Sequence, residues 1–212
     1  MSLGDVIRRN ARLFPNKIAP SNFMTKEPLK SLKDLKGLEL RVAGTAADTL
    51  KLLGGVPIAM PQSDTPEAIQ KGIVKGVLSS LEVLKDLNYA AYCPFTTLAN
   101  IQAFGFIVAM NKDKWNSLPN DVKKVFDDLA RDQALWTGKY ADDHAIDAIE
   151  WAKQKYKLKV LDFSAKDKAE ILRLSKPLVD DYIKRANGVG LPGDQIVKDV
   201  NRLKEKYEKE YK

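Results

Sequence analysis

The chain has 212 residues, 44% of them hydrophobic and 30% charged, enough to bury one large domain or two small ones and too apolar for a disordered polymer. Its formal net charge of +7 comes from 35 basic and 28 acidic residues, yet only eight of the basic ones are arginine and the lysines run along the whole length. That is the pattern of a hydrated surface, and it argues against a nucleic-acid reader, which needs clustered guanidinium groups to fork onto phosphates and guanine edges.

The opening stretch "MSLGDVIRRNARLF" carries Asp5, Arg8, Arg9 and Arg12 where a secretory signal needs an unbroken apolar core, so no export signal is read there. From Gly37 the pattern alternates. "LELRV" reads as a buried strand, "TAADTLKLLGG" as a helix closed by glycines and "VPIAM" as a second strand. "SDTPEAIQKGIV" follows as a helix, with Asp64 or Ser63 as N-cap, Pro66 early and Glu67 in the capping-box position relative to Asp64. "GVLSS" then reads as a third strand. Strand, helix, strand, helix, strand at this spacing predicts a βαβαβ unit with a parallel sheet, whose ligands sit beyond the carboxyl ends of the strands. Arg41 to Thr45, Pro61 to Asp64 and Leu78 to Ser80 fall on that edge.

"YCPFTTLANIQAFGFIVAMN" reads as one or two extended pieces, and its uncharged run "IQAFGFIVAM" is about half of the ~20 residues a bilayer crossing requires. Beyond it, Val122, Phe126, Leu129, Trp136, Tyr140, Ala148 and Trp151 recur at helical spacing. A helix running unbroken over 119–156 would be roughly 57 Å long and would have to bridge two lobes; the alternative is a break at Gly138. "LKVLDF" reads as a strand, and "SAKDKAEILRLSKPLVDDYIKRANG" and "PGDQIVKDVNRLKEKYEKEYK" as two helices joined by the turn "GVGLPG".

Signatures of catalysis are thin. His144 is the only histidine and has the helical spacing of a packed or rim residue, while Cys93 has no second cysteine and no activating neighbour in sequence. Asp127/Asp128 and Asp142/Asp143 are adjacent on a helix, so the members of each pair diverge by about 100° and make poor metal clamps. No metal site, cofactor or enzymatic activity is expected. Arg41 differs in kind, because it stands between Leu40 and Val42 at the end of a predicted buried strand. Burying a guanidinium without a partner costs several kcal/mol, so an anion should meet it: either an internal carboxylate or the carboxylate of a ligand. Plain exposure at the sheet edge is the third reading.

The segments "PLKSLKDLKGLELRV", "GGVPIAMPQSDTPEAIQKGIVKGV" and "VAMNKDKWNSLPNDVKKVFDD" resemble, in this order, the solute-binding proteins of TRAP transporters, the tripartite ATP-independent periplasmic carriers of small carboxylates. The resemblance runs from about Lys26 to the end of the chain. It implies a periplasmic-binding-protein-like α/β lobe with a parallel βαβαβ sheet, a long lobe-spanning helix and, because the part that normally precedes "SLKDLKG" is short here, an incomplete first lobe. The corresponding division is 1–25 poorly matched, 26–93 second-lobe core, 94–118 crossover, 119–156 spanning helix and 157–212 closing strand and helices. The resemblance further implies that Arg41 pairs with a substrate carboxylate, that Thr45, Gln62, Ser79 and Ser80 lie around it, and that the partners are a small organic carboxylate and the membrane permease subunits, in the periplasm. Gln62 stands where relatives commonly carry an aromatic residue. An N-terminally shortened chain is expected to leave "FGFIVAMN" with an uncovered edge and to self-associate. A truncated remnant that no longer binds and acts as an oligomeric interaction module is the alternative.

Overall fold

The computed structural model describes residues 11–210. In chain order these form β1 (Ala11–Pro20), β2 (Asn22–Thr25), β3 (Glu39–Arg41), α1 (Ala46–Leu52), β4 (Val56–Ile58), α2 (Thr65–Gln70), β5 (Gly76–Ser79), α3 (Val83–Asp86), β6 (Phe95–Leu98), β7 (Ala103–Asn111), α4 (Lys112–Ser117), α5 (Asn120–Tyr156), β8 (Lys159–Asp162), α6 (Ala165–Gly188) and α7 (Gly193–Glu210). Strands read from the sequence join β2, which was not read there, in a six-stranded sheet of order β4-β3-β5-β2-β6-β8. Its strands β3, β4 and β5 are parallel, in register Arg41↔Ile58 and Arg41↔Val77, and form the expected βαβαβ unit.

Beyond that unit the sheet is mixed. β2 lies antiparallel between β5 and β6, and β8 runs parallel to β6. As a result β3, β4, β5, β6 and β8 all present their carboxyl ends on one edge, together with the first residue of β2. Strand alternation sorts the core into two layers. Met24 and Val77 point to one face, under Ile69, Leu84, Tyr89, Ala148 and Ala152. Phe23 and Leu78 point to the other, under Leu35, Leu50, Phe163 and Ile171.

Helix α5 is continuous through Gly138 and spans 37 residues, about 55 Å at 1.5 Å per residue. Near its carboxyl end Ala148 and Ala152 have no exposed surface, small side chains that let its backbone settle onto the sheet. Toward its start it exposes Val125, Leu129, Leu135, Trp136 and Tyr140, each more than half accessible. Helix α6 is capped by Ser164, whose Oγ accepts from the Asp167 N–H at 3.1 Å. At α2 Asp64 stands at the expected N-cap position with Pro66 just inside, but its backbone is already helical and its carboxylate makes no capping bond, accepting from the Ser63 hydroxyl instead.

A separate two-stranded sheet pairs β1 with β7 in antiparallel register from Ala11↔Asn111 to Pro20↔Ala103, with an irregularity between Pro15 and Ile18. The start of the chain therefore contributes more than its sequence suggested: β1 covers one edge of the "FGFIVAMN" strand, and β2 sits in the middle of the large sheet. Residues 1–10 lie outside the described residues.

Candidate functional site

The two sheets are joined by two crossings, one between β1 and β2 and one between β6 and β7. Asn22, which has no exposed surface, clasps them: its Oδ1 accepts from the N–H groups of Ala99 and Asn100 at 2.9 and 3.0 Å. The backbone adds Ser21 N–H to Gln102 O at 2.7 Å and Ile101 N–H to Ser21 O at 3.2 Å. This clasp stands on the same edge as the carboxyl ends of β3, β4, β5, β6 and β8.

Arg41 ends β3 and is 6% exposed. Its Nε and Nη2 both donate to the Met60 carbonyl, at 3.2 and 3.1 Å, and among the described residues no carboxylate pairs with it. Burial lowers the guanidinium pKa, opposed in part by the nearby Tyr89. An arginine is protonated at any ordinary pH, so the consequence is a buried cation with Nη1 donors to spare.

Gln62 follows Met60 by two residues, in the turn that closes β4. Its Oε1 accepts from the Tyr89 hydroxyl at 2.7 Å, and the same hydroxyl lies 3.3 Å from the Gln62 carbonyl. Tyr89, otherwise enclosed in the core, was not singled out by the sequence, where "NYAAY" carries no periodic signal. Burial raises its phenol pKa, while the Thr65 hydroxyl and the charge of Arg41 pull it down. Arg41, Met60, Gln62 and Tyr89 thus form one connected group.

Among the described residues no hydrogen bond joins Thr45, Ser79 or Ser80 to this group, and Thr45 and Ser80 line separate cavities. Ser79 ends β5, two residues beyond Val77, the strand partner of Arg41. Ser80 donates to Glu82 Oε1 at 2.6 Å and lines a recess of about 260 Å³ with Pro20, Ala141 and Ile146. Thr45 precedes α1, where its hydroxyl accepts from Gln102 Nε2 at 2.6 Å beside a cavity of about 500 Å³ reaching to α6 and α7.

The remaining candidates for chemistry are structural. His144 Nε2 lies 2.9 and 3.1 Å from the Asp86 carboxylate oxygens and ties α5 to α3. Asp128 and Asp143 pair with Lys124 and Lys139 on the solvated face of α5. Among the described residues no group of three His, Cys, Asp or Glu side chains is placed to hold a metal ion, and no helix is long and apolar enough to cross a membrane. Burial pushes the Cys93 thiol up to about 12. Only the thiolate is nucleophilic, so Ellman's reagent at pH 8 should leave the folded protein unmodified and titrate one thiol after denaturation. Rapid native labelling would show that this core opens.

The mixed α/β sheet with its helix of about 55 Å matches the fold of solved solute-binding proteins. The model of the bacterial extracellular solute-binding proteins, family 7 (DctP), matches residues 20–185, and the chain belongs to that family. A TRAP periplasmic solute-binding protein from Desulfovibrio salexigens, solved as an open complex, is 47% identical, superposes with a TM-score of 0.84, and is matched over 92% of this chain and 61% of its own. A marine metagenome TRAP solute-binding protein specific for aromatic acids, solved with 3-hydroxybenzoate, is 29% identical with a TM-score of 0.79 over 92% of this chain and 62% of its own. The C4-dicarboxylate-binding periplasmic protein DctP of Rhodobacter capsulatus is 22% identical over 160 residues, 74% of this chain and 48% of that protein. The chain spans about half the length of the curated relatives it matches.

Proposed function

We propose that the chain is the binding part of a periplasmic TRAP solute-binding protein, which captures a small organic carboxylate by cleft closure and delivers it to a membrane permease, and that it is not an enzyme. The observation that carries this reading is Arg41: a buried guanidinium, held by a backbone carbonyl, with no carboxylate partner among the described residues. Its spare donors suit a bidentate bond to a ligand carboxylate. The Desulfovibrio salexigens relative holds the C-terminus of a symmetry mate in its ligand-binding site, and a polypeptide C-terminus is itself a carboxylate. Thr45, Gln62, Ser79 and Ser80 would supply the further polar contacts, Thr45 and Ser80 by exchanging their present partners Gln102 and Glu82.

Calorimetric titration with benzoate, mandelate, orotate and succinate tests the reading. Saturable binding of at least one is expected; heat-silent titrations across the panel, on protein with a cooperative melt, would remove it. Nothing in the comparisons favours a remnant that has lost ligand binding.

The exposed stripe Val125, Leu129, Leu135, Trp136 and Tyr140 on α5 supports self-association as part of the same proposal, because a run of half-exposed apolar side chains on one helix is costly in water. Sedimentation at micromolar concentration should give a mass above 23.7 kDa. A single species of monomer mass would dispose of it.

A further inference from the structure

The carboxylate end of the ligand is accounted for by Arg41; the group beside it points to the other end. We propose that Tyr89 is a positioning residue that holds the Gln62 side chain as a hydrogen-bond donor next to Arg41, so that the site prefers carboxylates bearing a second acceptor oxygen, such as hydroxy acids and oxo acids, over plain hydrocarbon acids. This rests on the carboxylate reading of Arg41.

The geometry is that of a tethered turn. The chain from Met60 to Gln62 is fixed at one end by the Arg41 guanidinium on the Met60 carbonyl and at the other by the Tyr89 hydroxyl on Gln62 Oε1. Tyr89 is fully buried among Ile69, Val74, Cys93 and Ala148, so its ring cannot swing away and its oxygen is a fixed point at the edge of the core. A side-chain amide has one acceptor and one donor end. With the oxygen engaged by the phenol, the NH₂ end turns away from it, and that end has no partner among the described residues. A free glutamine on an exposed turn would lose rotamer entropy on ordering against a ligand; here the fold has already placed it.

Selectivity follows from what a closed site would leave unpaired. An acid with an acceptor oxygen near its carboxylate satisfies the amide NH₂. A hydrocarbon acid of the same shape strands it in a dry site, and sites built to hydrogen-bond a substrate oxygen reject the analogue that lacks it.

Two matched pairs test this: mandelate with phenylacetate, and 3-hydroxybenzoate with benzoate, titrated into the wild-type protein and into Tyr89→Phe, Gln62→Ala and Arg41→Ala. In the wild type the oxygenated member of at least one pair should bind about threefold to tenfold more tightly, the worth of one hydrogen bond. Tyr89→Phe and Gln62→Ala should both erase that preference, by weakening the oxygenated member relative to the plain acid. A Tyr89→Phe variant that weakens both members equally, or keeps the preference, overturns the proposal. Failure of the underlying reading looks different: Arg41→Ala would then bind both members as the wild type does. One readout needs no ligand. The Gln62 side-chain amide signals in a ¹⁵N spectrum should report a restrained group in the wild type and a mobile one in Tyr89→Phe, and equal mobility in the two would also overturn it.

Discussion

Arg41→Ala is expected to weaken carboxylate binding by about 30-fold or more, because truncating one partner of a buried, hydrogen-bonded charge pair costs about 2–5 kcal/mol. The protein should remain folded. The guanidinium is buried and meets no carboxylate among the described residues, so its removal strands no anion there; what the fold loses is the pair of bonds to the Met60 carbonyl, about 1 kcal/mol, offset by relief of the desolvation that lowers the Arg41 pKa. Arg41→Lys separates charge from shape: it keeps the cation and loses the fork, so an affinity between wild type and alanine is expected. Calorimetry on all three proteins, with a thermal melt of each, checks both halves. Equal affinity in Arg41→Ala would move the anion site elsewhere.

Gly76→Ala should be the most damaging small substitution in the sheet. Gly76 opens β5 opposite Thr25 of β2 with a φ of +159°, a conformation that side-chain-bearing residues rarely adopt, and space is short as well. An added methyl group would run into the Met24 carbonyl oxygen and stand 2.8 Å from Thr25 Cα, both backbone atoms of a strand buried on its two faces. Overpacking of this kind costs about 3 kcal/mol when the neighbour cannot yield. For a chain of this size that lowers the midpoint of thermal unfolding by roughly 6–12 °C. The same change at Gly138, where nothing lies within 4 Å of the added carbon, is the control and should be neutral or slightly stabilising. Parallel melts of the two variants decide it; a neutral Gly76→Ala would mean that β2 and β5 pair less closely.

Much of this fold was readable because its signals are local. The apolar runs around Leu40, Ile58 and Val77 alternate over a few residues, and the spacing from Val122 to Trp151 sustains a helical period long enough to carry through Gly138. Arg41 stood out because a cation between Leu40 and Val42 contradicts its surroundings. What escaped depends on partners far away in sequence. β2 is four residues long and is a strand because β5 and β6 flank it. Tyr89 reaches Gln62 across 27 positions, and Asn22 reaches Ala99 across 77. No window of sequence contains either pair. The start of α2 was legible as a position, with Asp64 at the N-cap, but not as a bond: the helical backbone at Asp64 leaves its carboxylate without a capping bond, and Oδ1 accepts from Ser63.

Helix α5 is fastened to the sheet near its carboxyl end, where Ala148 and Ala152 press on the layer that contains Tyr89 and where His144 grips Asp86. From there to Phe126 the bar runs on for about 30 Å. The same bar also packs against β1, so one unbroken helix braces the small sheet and the large sheet together.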